Sequence, residues 1–332
     1  MKSYRFITTS FVIFSLHSFS QSFSSRHFTI EKLDTGVYAA IAKNGGHAIC
    51  NAGIIDLGNE VLIFDPFMTP EAAEDLKLAA VQLTHHPIKY VVNSHYHNDH
   101  IGGNQVFEGA VIISTEQTAS LIARYQPEEI EDDKKGAPSE LENVKKEDTT
   151  RMTKHEKDEN VMWTGYYEAL ATASNVLKTV VPAKTFKKEL TIRGSNRTVR
   201  LITYGTGHTK SDLFLYIPGK KIAFLGDLLF IQNQPWLGDG DPVKWSAYLD
   251  SIAKFPLKIL VPGHGPVGSL KDVEMMKSYF KNVAEAAKTY HDRGVLPKSD
   301  STLKSPPPFD GWFLSNFYKP NVVSEYARLY KK

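Results

Sequence analysis

Residues His95-Tyr96-His97-Asn98-Asp99-His100 put three imidazoles and one carboxylate into six consecutive positions. The cluster follows a strand-like run, Ile88 to Val92, and leads into Ile101-Gly102-Gly103. Packing alone gives a buried strand no reason to end this way. Imidazole nitrogen and carboxylate oxygen are the donors that a borderline-soft cation such as zinc prefers, at about 2.0–2.2 Å. A chain with this loop has to fold so that a rigid strand end presents it and other segments complete it. The loop is read as the main half of a metal site.

Three later segments share its design: a ligand-type residue at the end of an apolar strand, flanked by glycine. They are Gly205-Thr206-Gly207-His208-Thr209, Leu225-Gly226-Asp227 and Pro262-Gly263-His264-Gly265-Pro266. Strand ends hold side chains on a stiff scaffold, and glycine lets the backbone come close to an ion. A single glycine-flanked histidine is ordinarily just a loop residue. Four such segments in one chain point to a shared centre. His155-Glu156 does not extend it, because Glu159 stands where a zinc-protease helix would place its second histidine.

Around these motifs the chain reads as strands, then strand–helix units, then strands, then helices. Strands are expected over Phe28 to Leu33, Val37 to Lys43, Ile49 to Asp56 and Glu60 to Phe64, the last closed by an Asp65-Pro66 turn. Thr69 caps a helix with Pro70 in its first position. The glycines after Ile101 are read as a tight turn into a further helix. Next come strand Ala110 to Ser114 and a helix from Glu116 to about Tyr125. Thr185 to Ile192 and Thr198 to Thr203 are read as one hairpin, and Asp212 to Ile217 with Lys221 to Leu225 as another. Helices over Pro242 to Phe255 and Leu270 to about Arg293 flank a strand at Lys258 to Val261. This order suits two sheets sandwiched between helices better than one parallel sheet.

Residues 127–160 carry 12 acidic and 7 basic side chains with few large apolar ones. That insertion is read as a solvated, partly helical excursion, with a lid over the site as the sharper alternative. Trp163, Tyr166 and Tyr167 follow it at helical spacing and are expected in a core. Residues 232–241, with Trp236, are expected to form a substrate-facing wall. Tyr96 and Asn98 stand between ligands, open to either the cavity or the outside. His85 and His86 are read as structural, Cys50 as a small buried apolar residue. The C-terminal extension, residues 296–332, is expected to lie over the surface.

Residues 1–20 read as a cleaved export signal: Lys2 and Arg5, an apolar stretch, then Ser18-Phe19-Ser20 before a cut ahead of Gln21. The apolar run is too short and too interrupted to anchor in a bilayer. The mature chain is therefore expected to be periplasmic or secreted, with no stable membrane span. Its single cysteine leaves no disulfide to form. Removing Lys2 and Arg5 brings the net charge of +2 to balance, so no basic field for nucleic acid is evident. A small-molecule substrate is the remaining expectation.

The motif order His-x-His-x-Asp-His, Gly-His-Thr-x-x-Asp, Leu-Gly-Asp, Pro-Gly-His-Gly resembles the metallo-β-lactamase superfamily, over roughly Phe28 to Lys281. The resemblance implies an α/β fold, the αββα four-layer sandwich, within a domain spanning residues 21–295. It implies two zinc ions, or another divalent metal in their place. His95, His97 and His208 would hold one, Asp99, His100 and His264 the other, and Asp227 would bridge them. Two cations sharing a water would yield a hydroxide nucleophile near neutral pH, with Asp99 as the catalytic proton shuttle. The implied activity is β-lactamase-like hydrolysis of a cyclic amide, lactone or ester. Asp227 departs from the first two lactamase subclasses, which carry cysteine there, and from the third, which usually lacks a bridging aspartate. Thioesterases and phosphodiesterases of the superfamily keep it, and persulfide dioxygenase-like relatives with iron form a redox alternative.

Overall fold

Strand residues of this chain alternate between two apolar surroundings, which is what puts a sheet between two layers. The computed structural model describes residues 23–330; the signal read over residues 1–20 lies outside them. The first sheet holds β1 (Phe28–Asp34), β2 (Val37–Ala42), β3 (Ala52–Asp56), β4 (Val61–Phe64), β5 (Ile88–Val92), β6 (Val111–Thr115) and β7 (Lys184–Phe186), side by side in chain order. β1 to β4 pair antiparallel, and β4 to β7 pair parallel. The parallel pairs need long crossovers, and α1 (Pro70–Thr84) supplies the first. Along β4, Val61 and Ile63 pack towards α1, while Leu62 and Phe64 face the other way, against Leu215 and Phe224.

That second group belongs to the facing sheet. It contains β8 (Glu189–Arg193), β9 (Thr198–Gly205), β10 (Asp212–Ile217), β11 (Ile222–Phe230) and β12 (Ile259–His264), in spatial order β12-β11-β10-β9-β8. In β10, Leu213, Leu215 and Ile217 fill the space between the sheets. Phe214 and Tyr216 turn outward beneath α5 (Pro242–Ile252) and α6 (Leu270–Asp292). The result is the four-layer αββα sandwich that the strand order implied. Among the described residues no helix is long and apolar enough to cross a membrane.

Four local expectations are corrected. The stretch Thr185 to Ile192 is not one strand: its first part joins β6 in the first sheet, and its second pairs with β9 in the other. The expected helix after Gly103 is a short α2 (Asn98–Ile101) and a 3-10 turn over Gly102–Val106. There a Cβ on Gly102 would stand 1.9 Å from the Met68 carbonyl oxygen, so close approach is what requires glycine. The helix expected to end near Tyr125 continues as α3 (Glu116–Lys145), through Pro127 and Pro138, and pairs with α4 (Lys154–Ala173). Proline removes one helical hydrogen bond; the lateral packing of Ile130 on Ala173 and Leu177, and of Ala137 near Ala169 and Leu170, holds the helix nonetheless. The C-terminal extension is not spread over the surface. Phe309, Trp312 and Tyr318 sink into the core under the second sheet, and α7 (Tyr318–Tyr330) packs on α6.

Candidate metal centre

All seven predicted ligands converge at one edge of the sandwich: β5 and β9 deliver theirs just beyond their ends, β12 carries His264 as its last residue, and Asp227 lies within β11 rather than at the strand end expected, beside Gly226 at positive φ. Their donor atoms form two groups, His95, His97, His208 and Asp227 in one and Asp99, His100 and His264 in the other, each group within 4.8 Å of itself. Asp227 faces both. Its Oδ2 lies 3.2 Å from His208 Nε2 and 3.7 Å from His95 Nε2. Its Oδ1 lies 3.0 Å from His100 Nε2 and 3.4 Å from His264 Nε2. Asp99 Oδ2 stands 3.3 Å from His100 Nε2 and 3.2 Å from His264 Nε2.

The outer ring nitrogens test whether a cation fits. His95 Nδ1 is 2.9 Å from Ser94 Oγ, His100 Nδ1 2.9 Å from Asp65 Oδ2, and His208 Nδ1 3.1 Å from the Trp236 carbonyl. For His97 the roles reverse: Nε2 is 3.2 Å from Asp239 Oδ2 and Nδ1 points inward. In each of these four rings an acceptor takes the outer N–H, so the inner nitrogen presents its lone pair to the centre. His95 Nε2, His100 Nε2 and Asp227 Oδ1 are buried with no hydrogen-bond partner. Buried polar atoms are seldom left so. Donor types, convergence and orphaned lone pairs all fit divalent metal.

Charge follows the same geometry. Burial would raise Asp99 and Asp227, but the imidazoles of His100 and His264 outweigh it and hold both well below the ordinary carboxylate range. Burial likewise opposes protonation of His264, yet Asp227 and Asp99 raise it to about 9; His208 is pushed down by burial to about 3. Binding a cation would release the protons these groups retain.

A second cluster fails the test that the first passes. His27, His47 and Glu71 are close enough to share an ion. However, His27 Nδ1 accepts the backbone N–H of His47 at 3.1 Å, so a neutral His27 carries its proton on Nε2, the atom facing Glu71. The Arg26 guanidinium also sits 3.0 Å from His47. A guanidinium cation already neutralises this carboxylate.

Several residues around the centre were not foreseen. Asp65, fully buried at positive φ, accepts from the Ser94 backbone N–H at 2.7 Å and from His100. It stands at a strand end, the same signal that marked the ligands. Cys50 is buried as expected, and its thiol donates to the Asp99 carbonyl at 3.0 Å. Tyr96 lines the cavity, whereas Asn98 is buried and accepts from Gln126. His86 pairs with Asp56 at 3.0 Å and His85 ends α1 in the left-handed region, so neither approaches the site.

The centre opens into a cavity of about 1330 Å³, larger than the roughly 300–1,000 Å³ of most small-molecule sites. Trp236 and Asp239 form part of its wall, from the segment expected to do so. Trp163, Tyr166 and Tyr167 line it too; Tyr166 and Tyr167 also pack on the small core of Met68, Ala137, Ala169 and Leu170 as expected, and only Trp163 departs from that expectation. Part of the charged insertion, including Glu129, Asp133 and Ala137, lines the cavity as well, while much of the rest is exposed and helical.

A family model described as the metallo-beta-lactamase superfamily matches residues 45–264, a span that contains all seven ligands. The chain belongs to the metallo-beta-lactamase superfamily. Within it, the chain is 29% identical over 111 residues to the metallo-beta-lactamase type 2 of Bacteroides fragilis, covering 32% of this chain and 45% of that protein. It is 22% identical over 250 residues to a linear primary-alkylsulfatase of a Pseudomonas species, covering 70% of this chain and 46% of that protein. The matches thus span just under half the length of each of these superfamily relatives. The solved metallo-beta-lactamase from Pontibacter korlensis superposes with a TM-score of 0.57 at 19% identity, over 77% of this chain and 99% of its own. That likeness is one of fold.

Proposed function

We propose that this protein is an exported, binuclear zinc hydrolase that opens a cyclic amide, lactone or ester in a small molecule. The observation that carries this reading is the placement of Asp227, one carboxylate whose two oxygens face two separate ligand groups. A closed structural zinc site needs one set of four ligands and no cavity. In this reading His95, His97 and His208 hold the first cation, Asp99, His100 and His264 the second, and Asp227 joins them. When bound, such a pair polarises a carbonyl oxygen and brings the pKa of water towards neutrality.

The chain's own residues do the rest. Ser94, Asp65, Asp239 and the Trp236 carbonyl fix ring tautomers, so no reorientation is needed as the reaction proceeds. Asp99, which lines the cavity, would take a proton from the attacking water and return it to the leaving group. The lid aromatics exclude bulk water. Export is supported by residues 1–20, and the mature enzyme then begins near Gln21.

The alkylsulfatase likeness supports a second reading, cleavage of a sulfate ester in the same site. Metal analysis with a panel of β-lactam, lactone, thioester, phosphodiester and sulfate-ester substrates tests both. The first reading expects about two zinc equivalents per chain, chelator-sensitive turnover of a lactam or lactone, and loss of that turnover in Asp99→Ala. One iron equivalent and no hydrolysis would overturn it.

A further inference from the structure

The lid face that looks at the metal centre is both acidic and aromatic. On α3, Glu129 and Asp133 lie one turn apart and line the cavity, with Glu128, Asp132 and Glu140 beside them. On α4 and the facing wall, Trp163 and Trp236 both contact Phe317, at ring separations of 6.1 and 5.7 Å. Tyr166 sits between the two chemistries, with Asp99, Asp133 and Glu129 all near enough to act on its hydroxyl. The cations on the lining are Lys43 and Lys210, and the Lys43 ammonium is tied to the Ser25 carbonyl. No arginine lines the cavity among the described residues.

Glu129 and Asp133 have no ion pair among the described residues, although both are half-buried. Burial pushes Glu129 up to about 7 against the pull of His97, and Asp133 to about 6 against the hydrogen bond that Asn98 Nδ2 donates to it, with neighbouring acids adding to both. Carboxylates desolvated without a counter-charge are costly to keep. A site built for anions would instead carry arginine or lysine forks on this face. Carboxylates next to aromatic faces attract an organic cation by Coulomb and cation–π terms.

We propose, resting on the hydrolase reading, that the lid is a charge filter: it admits apolar substrates bearing an amine or ammonium group, seated against Glu129 and Asp133, and refuses substrates with an anionic tail. The scissile bond then lies at the metal centre, and the cation lies beyond it, under α3 and α4. This argues against alkyl sulfates as substrates.

Calorimetric titration of the zinc-loaded mature protein with benzyltrimethylammonium, benzyl alcohol and phenylmethanesulfonate tests the filter without turnover. The ammonium probe should bind about tenfold tighter than the sulfonate, with the alcohol between. In the double variant Glu129→Gln/Asp133→Asn, with zinc content and circular dichroism unchanged, the two charged probes should come within about threefold. Should that variant misfold, the wild-type preference must still shrink as salt rises, since it is electrostatic. Sulfonate binding as tight as ammonium, an order unchanged by the variant or by salt, or no binding of the ammonium below about 10 mM overturns the filter. So does a cation preference confined to metal-free protein, because the acids would then only offset the metal charge. A protein that binds ammonium best yet hydrolyses nothing sinks the hydrolase reading alone. One that hydrolyses esters and binds the sulfonate best sinks the filter alone.

Discussion

Asp65 gives the sharpest handle on the centre, because it is fully buried and touches no cavity. Its carboxylate serves two donors, the Ser94 N–H at 2.7 Å and the His100 Nδ1–H at 2.9 Å. In Asp65→Asn the amide offers one acceptor for those two donors, so one is unmet whichever way it turns. If His100 loses its acceptor, its proton is free to shift to Nε2, the atom that faces Asp99 and Asp227. Loss of such a partner typically weakens metal binding by about 10- to 100-fold, or roughly 1.4–2.7 kcal/mol. Only the group of Asp99, His100 and His264 should suffer, since His95, His97 and His208 take their outer contacts elsewhere. In Asp65→Ala both donors are orphaned, at about 1–3 kcal/mol each, and alanine adds about 1 kcal/mol at the positive φ of this position. Removing a buried charge returns part of that. A net loss of about 3 kcal/mol should lower the melting temperature by roughly 6 °C. Competition against a fluorescent chelator would resolve the two zinc equivalents that the proposed function expects, and calorimetry of metal-free protein would give the melt. Two equivalents bound by Asp65→Asn with wild-type affinity would refute the claim that Asp65 sets the His100 tautomer.

Three further outcomes follow from single contacts. Gly263→Ala should strip metal and strain the β11–β12 pairing, because a Cβ there would stand 1.9 Å from Asp227 Oδ1 and 2.8 Å from the Gly226 carbonyl carbon; metal content by atomic emission and a lowered melting temperature check it. Cys50, buried and pushed up to about 12 by that burial, should resist maleimide in the native protein near neutral pH and react fully once unfolded. Glu159→Ala removes the carboxylate that accepts the Ser315 N–H at 2.8 Å and the Ser315 hydroxyl. Hydrogen exchange over residues 313–317 should then speed up by about 5-fold or more, for a local loss of about 1–3 kcal/mol, with metal content unchanged.

The seven ligands were legible because each follows an apolar strand-like run with glycine nearby, even though β11 in fact continues through Asp227, and because their side-chain types are costly to bury for any other purpose. Asp65 also follows such a run but has no glycine beside it and is followed by proline, and Asp-Pro reads first as a turn. The lid was obscured by conflicting signals. Two prolines and a run of charges argue for a broken, solvated segment, while Ile130, Ala137 and Val144 recur at intervals of seven and mark a helix with one buried stripe. Periodicity was the better guide, since lateral packing on α4 outweighs two lost hydrogen bonds. The split between β7 and β8 had no comparable local signal. Which sheet a short strand joins is decided by partners distant in sequence, as in the pairing of Thr185 with Ser114 and of Leu190 with Leu201.

That contrast bears on how this enzyme would change its substrate. The metal ligands sit on strand ends locked between two packed sheets, so moving one disturbs the core. The walls come from α3, α4 and a C-terminal strap, and Glu159 of α4 is tied to Ser315 of the strap, 156 positions apart in the chain. Glu129 and Asp133 border the buried stripe of Gln126, Ile130 and Ala137 on α3, so the isosteric changes to Gln and Asn remove their charge while keeping the volume they fill. Charge selection at the lid is therefore separable from metal binding at the strand ends, and a variant altered in one should keep the other.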